Sequence, residues 1–109
     1  MKDDNQPVRA VEGRRAPFLW ISKTVFNQKW HVLSTGARSI YVTLCAFADG
    51  YHSDDGMVLT IETFAVRNAM SRTSVWRALT ELEEHGLIRV ENQFDADRGQ
   101  LANRYILVD

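Results

Sequence analysis

The sequence predicts one small α+β domain, mainly α-helical with a small β-hairpin near its C-terminus. Two patterns predict it. Apolar residues recur at three- and four-residue steps in segments between residues 35 and 84, as on the buried face of a helix. Two later segments, 87–92 and 103–108, resemble strands and flank a polar loop that contains Gly99. The 109 residues, 45% hydrophobic and 25% charged, suit a single core.

Composition narrows the class of protein. Thirteen Lys and Arg against fourteen Asp and Glu give a formal charge of −1, which excludes disorder driven by net charge. No apolar run approaches the roughly 18 residues of a membrane-spanning helix, and residues 1–6 are polar rather than signal-like. A single cysteine, Cys45, excludes an internal disulfide and fits a reducing compartment. We therefore expect a cytoplasmic protein without membrane contact.

The N-terminal segment differs from the rest. We predict that residues 1–17 form a flexible basic arm and that residues 18–109 form the domain. The arm holds three arginines and both prolines: Arg9, Arg14, Arg15, Pro7 and Pro17. It is either a solvated tail or a segment that becomes ordered on a phosphate backbone.

Large aromatic residues follow the arm. Residues 18–21, rich in aromatic and β-branched groups, predict a strand or an extended segment. This region contains four large aromatic residues whose side chains must be shielded from water: Phe18, Trp20, Phe26 and Trp30. They pack either on the domain's own core or on a second copy of the chain.

The helices follow from caps and periodicity. The first helix begins after Ser34 or Thr35 and ends at Gly50, the second runs from Ile61 to about Ala69 after Thr60, and the third runs from Arg72 to about Glu84 after Ser71. The predicted inward faces are Ala37, Ile40, Tyr41, Leu44, Phe47 and Ala48, then Ile61, Phe64 and Ala65, then Val75, Ala78, Leu79 and Leu82. Met57–Leu59 predicts a small strand, and Gly86 ends the third helix.

The second and third helices, joined by a short turn, make a helix-turn-helix unit. Such a unit needs small residues where its helices cross, and Ala65 and Ala69 provide them. Met70 and Val75 supply apolar contacts between the helices. Two identities are unusual: Asn68 stands where an apolar residue is more common, and Ala69 stands where glycine often lies.

The run Leu59–Ile88, together with Gly99 and Asn103–Leu107, resembles a bacterial winged helix-turn-helix domain over residues 33–108. With Phe18–Phe26 and the first helix included, the chain is similar to the DNA-binding domain of phage and plasmid replication proteins and to small transcription regulators. The resemblance implies that the third helix is a recognition helix and that the hairpin is a wing.

The recognition helix presents polar groups beside its apolar stripe. Arg72 and Arg77 can each pair bidentately with guanine, and the short hydroxyls suit phosphates. The acidic residues Glu81, Glu83 and Glu84 lie in the far half of the helix. The predicted DNA-binding residues are Arg67, Ser71, Arg72, Thr73, Ser74, Trp76 and Arg77, with Arg98, Gln100 and Arg104 from the wing.

Alternatives remain for these residues. Arg72 and Arg77 can be solvated helix charges, with Arg77 and Glu81 forming a surface pair four residues apart. Trp76 can be a hydrophobic lid or an interface residue. The wing residues, with Asn103 beside them, either reach the DNA backbone or form a polar hairpin tip, and Arg67 and Asn68 can touch phosphate.

The sequence favours binding over catalysis. His31, His52 and His85 lie far apart, so we predict no metal; a cation at His52, Asp54 and Asp55 is the weak alternative to a solvated turn. Cys45 lies among apolar neighbours, as a packed thiol does. Glycine-rich phosphate loops and nucleophile elbows are missing from the sequence. We expect no enzyme and no cofactor.

We therefore expect sequence-specific binding of double-stranded DNA by a homodimer, because one recognition helix contacts few base pairs. Either the aromatic segment and the first helix form the dimer surface, as we expect, or they complete the core of the monomer. Transcription regulation and phage or plasmid replication or partition all fit, with a protein of such a complex as a further partner. The alternative is a winged-helix adaptor that contacts protein without DNA.

Overall fold

The computed structural model describes residues 19–48, 56–94 and 101–108. The elements in chain order are α1 (Lys23–Gln28), a 3₁₀ turn (Trp30–Val32), α2 (Thr35–Ala48), β1 (Met57–Leu59), α3 (Ile61–Asn68), α4 (Arg72–Glu84), β2 (Ile88–Phe94) and β3 (Leu101–Leu107). The predicted arm, the turn around His52 and the hairpin tip lie outside the described residues.

Hydroxyl caps set where the helices begin. The side-chain oxygens of Ser34, Thr60 and Ser71 each accept a hydrogen bond from the amide three residues later, at 3.1–3.3 Å. These are the predicted starts of α2, α3 and α4. Ser22 caps α1 in the same way, and this short helix was not predicted from the sequence. Residues 19–21 belong to no helix or strand, which agrees with an extended segment.

The core lies between α2, α3, α4 and one face of the sheet. The predicted inward residues of α4 are all buried, and Phe64 and Ala65 of α3 are buried with them. Tyr41, Phe64 and Tyr105 are the largest fully buried side chains, and the rings of Phe64 and Tyr105 meet edge to face at 5.1 Å. Cys45 is buried, as expected of a packed thiol.

The sheet has three antiparallel strands rather than a hairpin alone. β3 lies in the middle, pairing with β2 and with β1, so Tyr105 is opposite both Val90 and Met57. The prediction of a hairpin is confirmed, but both strands extend further toward the tip: β2 ends at Phe94, two residues after the predicted end, and β3 begins at Leu101, two residues before the predicted start. Met57–Leu59 forms the predicted strand, and its pairing with β3 ties the wing to the helices.

The turn between α3 and α4 explains the two unusual residues. Ala69 has φ 52°, in the left-handed region that glycine adopts at least cost, and Met70 N donates to Ala65 O at 3.0 Å. Asn68 is half-buried and its amide is fully used: Nδ2 donates to Thr43 Oγ1 and Phe64 O, both at 3.0 Å, while Oδ1 accepts from Ser39 Oγ at 2.5 Å. A polar network therefore joins α2 to α3.

Two glycines with positive φ provide a matched test of the close approach between residue 56 and β3. A Cβ at Gly56 (φ 86°) would lie 2.8 Å from Tyr105 O, whereas one at Gly86 (φ 74°) meets nothing within 4 Å. We expect Gly86→Ala to lower the free energy of unfolding by about 1 kcal/mol through backbone strain alone. Gly56→Ala should cost about 1–3 kcal/mol more, because backbone and β3 must also shift. Urea denaturation of both variants checks this, and equal losses would show that the contact with β3 relaxes freely.

Candidate nucleic-acid interface

Helix α4 has one buried face and one exposed face. Val75, Ala78, Leu79 and Leu82 point into the core, so the opposite side of the helix carries Thr73, Arg77, Thr80 and Glu84, all exposed. Ser71 and Arg72, at the N-terminal end, are exposed as well. The first two turns therefore form an exposed edge of polar and cationic groups.

Arg72 lies at the tip of this edge and has a partner on the preceding helix. Its Nη2 and Nε atoms donate to Oε1 of Glu62 at 2.7 and 3.2 Å. The arginine side chain remains 71% exposed and that of Glu62 58% exposed. Arg72 is therefore held at one edge of its guanidinium and remains open to a ligand.

Arg77 faces solvent one turn further along α4 without an ion pair among the described residues. The alternative of an Arg77–Glu81 pair is wrong, because the Glu81 carboxylate turns to α2 instead. It accepts hydrogen bonds from Ser34 N at 2.7 Å and from Ser34 Oγ at 2.6 Å. Arg77 also borders an open groove of about 400 Å³ that runs between the start of α2 and the α3–α4 turn.

The hydroxyls at the start of α4 are not equivalent. Ser71 Oγ accepts from Ser74 N at 3.1 Å and donates to Ser74 Oγ at 3.0 Å, so both serines stabilise the helix start. Thr73 is exposed and has no hydrogen bond to another described side chain. Of the three predicted hydroxyls, Thr73 is the freest to contact a ligand.

Trp76 lies at the edge of the core and is about half-exposed. Its side chain is 48% exposed, and it lines a cavity of about 180 Å³ between α4 and the sheet with Leu79, Val90 and Tyr105. It therefore covers part of the core edge and still presents indole surface. Thr80, one turn beyond Trp76, borders the same exposed surface and was missed from the sequence. Its spacing of seven residues from Thr73 is the signal that could have found it.

Arg67 lies at the end of α3. Its guanidinium carbon is 5.1 Å from the centre of the Phe47 ring, a cation–π contact that orients the side chain on the surface. Asn68, next to it, is occupied by the network with Thr43 and Ser39, so its predicted phosphate contact is wrong.

The structure describes one of the three predicted DNA-binding residues of the wing, Arg104. Arg98 and Gln100 lie outside the described residues. Arg104 lies within β3, opposite Glu91 of β2, and its Nε is 3.7 Å from Glu91 Oε1 with the side chain 30% exposed. Asn103 is buried and donates to Tyr105 OH at 3.3 Å, so it cannot reach DNA as the sequence suggested. Burial raises the pKa of Tyr105, against the opposing effect of this bond.

The described residues contain no group of three His, Cys, Asp or Glu side chains arranged to hold a metal ion. None of their helices combines the length and the apolar character that crossing a bilayer requires.

Residues 31–88 match the family model described as a helix-turn-helix domain. The match covers more than half of the chain, which therefore belongs to this family of DNA-binding domains. The β2–β3 hairpin extends beyond the match and makes the fold a winged helix-turn-helix. Neither the curated proteins nor the solved structures contain a significant match.

The Glu81–Ser34 contact predicts a pH-dependent stability. Partial burial acts to raise the pKa of Glu81, but the two hydrogen bonds from Ser34 and the nearby His85 outweigh it, and the pKa lies below its ordinary value. The stabilisation is therefore present above the ordinary carboxyl pKa of about 4.3 and is lost as the pH falls through the lower folded-state pKa.

We expect Glu81→Gln to lower the thermal midpoint at pH 7, with the difference from wild type disappearing in strong acid. The exposed Glu84→Gln is the matched control and should change the midpoint little at either pH. Thermal melts followed by circular dichroism at several pH values measure both. A Glu81→Gln deficit that persists in strong acid would contradict the account.

Proposed function

We propose that the protein binds double-stranded DNA sequence-specifically by inserting the first two turns of α4 into the major groove. The observation that carries this proposal is the exposed edge of α4, with Arg72 and Arg77 projecting from a helix whose opposite face is locked into the core. The role is that of a transcription regulator, or of a phage or plasmid replication or partition factor. It is binding rather than catalysis.

The side chains of α4 differ in the part of the DNA that each can contact. Arg72 and Arg77 are the candidates for guanine, because a guanidinium presents parallel donors to O6 and N7. Thr73 and Thr80 can contact phosphate or a thymine methyl group, and the indole of Trp76 can pack on sugar or base. Ser71 and Ser74 act mainly through the amides at the start of α4, which favour an anion.

The charge distribution along α4 supports this orientation. Arg72 and Arg77 lie at its leading end, whereas Glu83 and Glu84 are exposed at its trailing end. The acidic end therefore faces away from the phosphates when the leading end is in the groove. With a formal charge of −1, affinity comes from this local separation, and non-specific binding is modest.

A homodimer fits the distribution of exposed apolar residues. Between residues 19 and 32, Leu19, Trp20, Phe26 and Val32 are 41–77% exposed. This region lies away from the leading end of α4, because Lys29 Nζ donates to His85 O at the trailing end, at 2.9 Å. Two copies joined here keep both leading ends free, and we expect recognition helices about 34 Å apart. We expect a cytoplasmic protein, since bacterial, phage and plasmid DNA is there.

The arginine assignment predicts that removal of either arginine lowers the affinity for DNA. Arg72→Ala and Arg77→Ala should each weaken binding to the preferred duplex roughly 5- to 150-fold, because each removes a bidentate base contact. Arg89→Ala, at the start of β2, is the matched control: it also removes one exposed arginine, lies outside both α4 and the proposed dimer surface, and should change affinity less than about threefold. Fluorescence anisotropy against a duplex chosen from a random library measures all three.

Retained specific affinity in the Arg72→Ala, Arg77→Ala double variant would contradict the assignment. Absence of duplex binding by the wild type at low salt would instead favour the protein-adaptor function. Trp76 and the exposed carboxylates of α4 would then be the candidate protein contacts.

The dimer surface has its own test. Trp20→Ser and Phe26→Ser should shift the protein toward the monomer in analytical ultracentrifugation, because each removes a large exposed aromatic surface. Val66→Ser, which alters a 72% exposed apolar residue on α3, is the control and should leave the association state unchanged. A wild type that is monomeric at high concentration and on DNA would refute the dimer.

A further inference from the structure

The contact between Glu62 and Arg72 crosses the helix-turn-helix. Glu62 lies in the first turn of α3 and Arg72 is the first residue of α4, ten positions later. Both hydrogen bonds from the guanidinium, Nη2 at 2.7 Å and Nε at 3.2 Å, end on the same carboxylate oxygen, Oε1. Helix α3 therefore orients Arg72, the first side chain of α4.

The edge of the guanidinium that Glu62 leaves open can still pair with a base. Arginine has five N–H donors, and Glu62 occupies the side edge formed by Nε and one hydrogen of Nη2. The end edge, formed by Nη1 and the second hydrogen of Nη2, carries two parallel donors. That spacing matches O6 and N7 of guanine, and the side chain is exposed enough to meet them.

The ion pair contributes little to the fold. Both side chains are more than half exposed, and such surface pairs add almost nothing to stability because water screens them. Its effect is on rotamers: an arginine already held in one orientation loses less conformational freedom when it docks. The role of Glu62 is therefore separable from folding.

The negative charge of Glu62 also favours specific over non-specific DNA binding. A carboxylate beside the leading end of α4 repels DNA phosphates whatever the base sequence, so it lowers affinity for all duplexes. Orientation of Arg72 favours only duplexes with guanine at the matching position. The combined effect is a higher ratio of specific to non-specific binding.

We propose that Glu62 is a specificity-determining residue that positions Arg72 for guanine and does not itself contact a base. This inference rests on the proposed function, since it refines how α4 selects its site. Its consequence is that the preference for guanine at one base pair depends on a residue outside the recognition helix.

The test compares specific and non-specific affinities for wild type, Glu62→Ala, Glu62→Gln and Arg72→Ala. The probes are the preferred duplex, the same duplex with the guanine pair opposite Arg72 replaced, and an unrelated duplex. Glu62→Ala should reduce discrimination at that pair about tenfold while binding to the unrelated duplex strengthens. Glu62→Gln, which keeps an acceptor without charge, should lie between.

Glu84→Ala is the matched control, because it removes an exposed carboxylate at the far end of α4. It should leave discrimination unchanged. In an Arg72→Ala background, Glu62→Ala should no longer alter discrimination, since the two residues act as one unit. Thermal midpoints of the Glu62 variants should fall by only a few degrees, because each loses the favourable interaction of a carboxylate with the N-terminal end of α3.

Discrimination that survives Glu62→Ala in a wild type that does discriminate would overturn the positioning role alone. Tighter specific binding with improved discrimination would also overturn it, by showing that Glu62 masks Arg72. If the wild type distinguishes no sequences, the proposed DNA-binding function fails, and this inference fails with it.

Discussion

The apolar seam along α4, formed by Val75, Ala78, Leu79 and Leu82, is the constraint on which the rest of the molecule depends. Because these four side chains are buried, the rotation of α4 about its own axis is set, and the polar side must face outward. A shift of the seam by one residue would turn the helix by about 100° and bury part of the cationic edge. The position of the exposed cationic edge is thus a consequence of core packing.

Two polar contacts, together with the apolar seam, fix the position of α4 relative to α2 and α3. Glu81 joins α4 to the start of α2 through Ser34, and Asn68 joins the end of α3 to α2 through Thr43 and Ser39. With the left-handed turn at Ala69, they set the angle at which α4 leaves α3. An apolar residue in place of Asn68 would leave α2 hydroxyls without this partner, which explains why the unusual amide belongs there.

The features that the sequence predicts correctly are local patterns, and most of the features that it misses are contacts between residues far apart in the chain. The caps Ser34, Thr60 and Ser71 and the buried stripe of α4 are properties of short segments, so the sequence predicts them well. The pairing of β1 with β3 joins residues far apart in the chain and has no local signal. Helix α1 is too short for periodicity to reveal. Two contacts at the site, Ser34 with Glu81 and Glu62 with Arg72, join different helices, so spacing within one helix does not predict them. Asn103 is buried because its side chain lies on the core-facing side of the central strand β3.

Amide NMR shifts, recorded while the protein is titrated with the preferred duplex, show whether the leading end of α4 contacts DNA. We expect the largest shift changes at residues 71–77 and small changes at residues 81–84 and in α1. Small changes across 71–77 together with the largest changes in residues 19–32 would refute DNA binding by α4, because the exposed edge of this helix would then be free of the ligand.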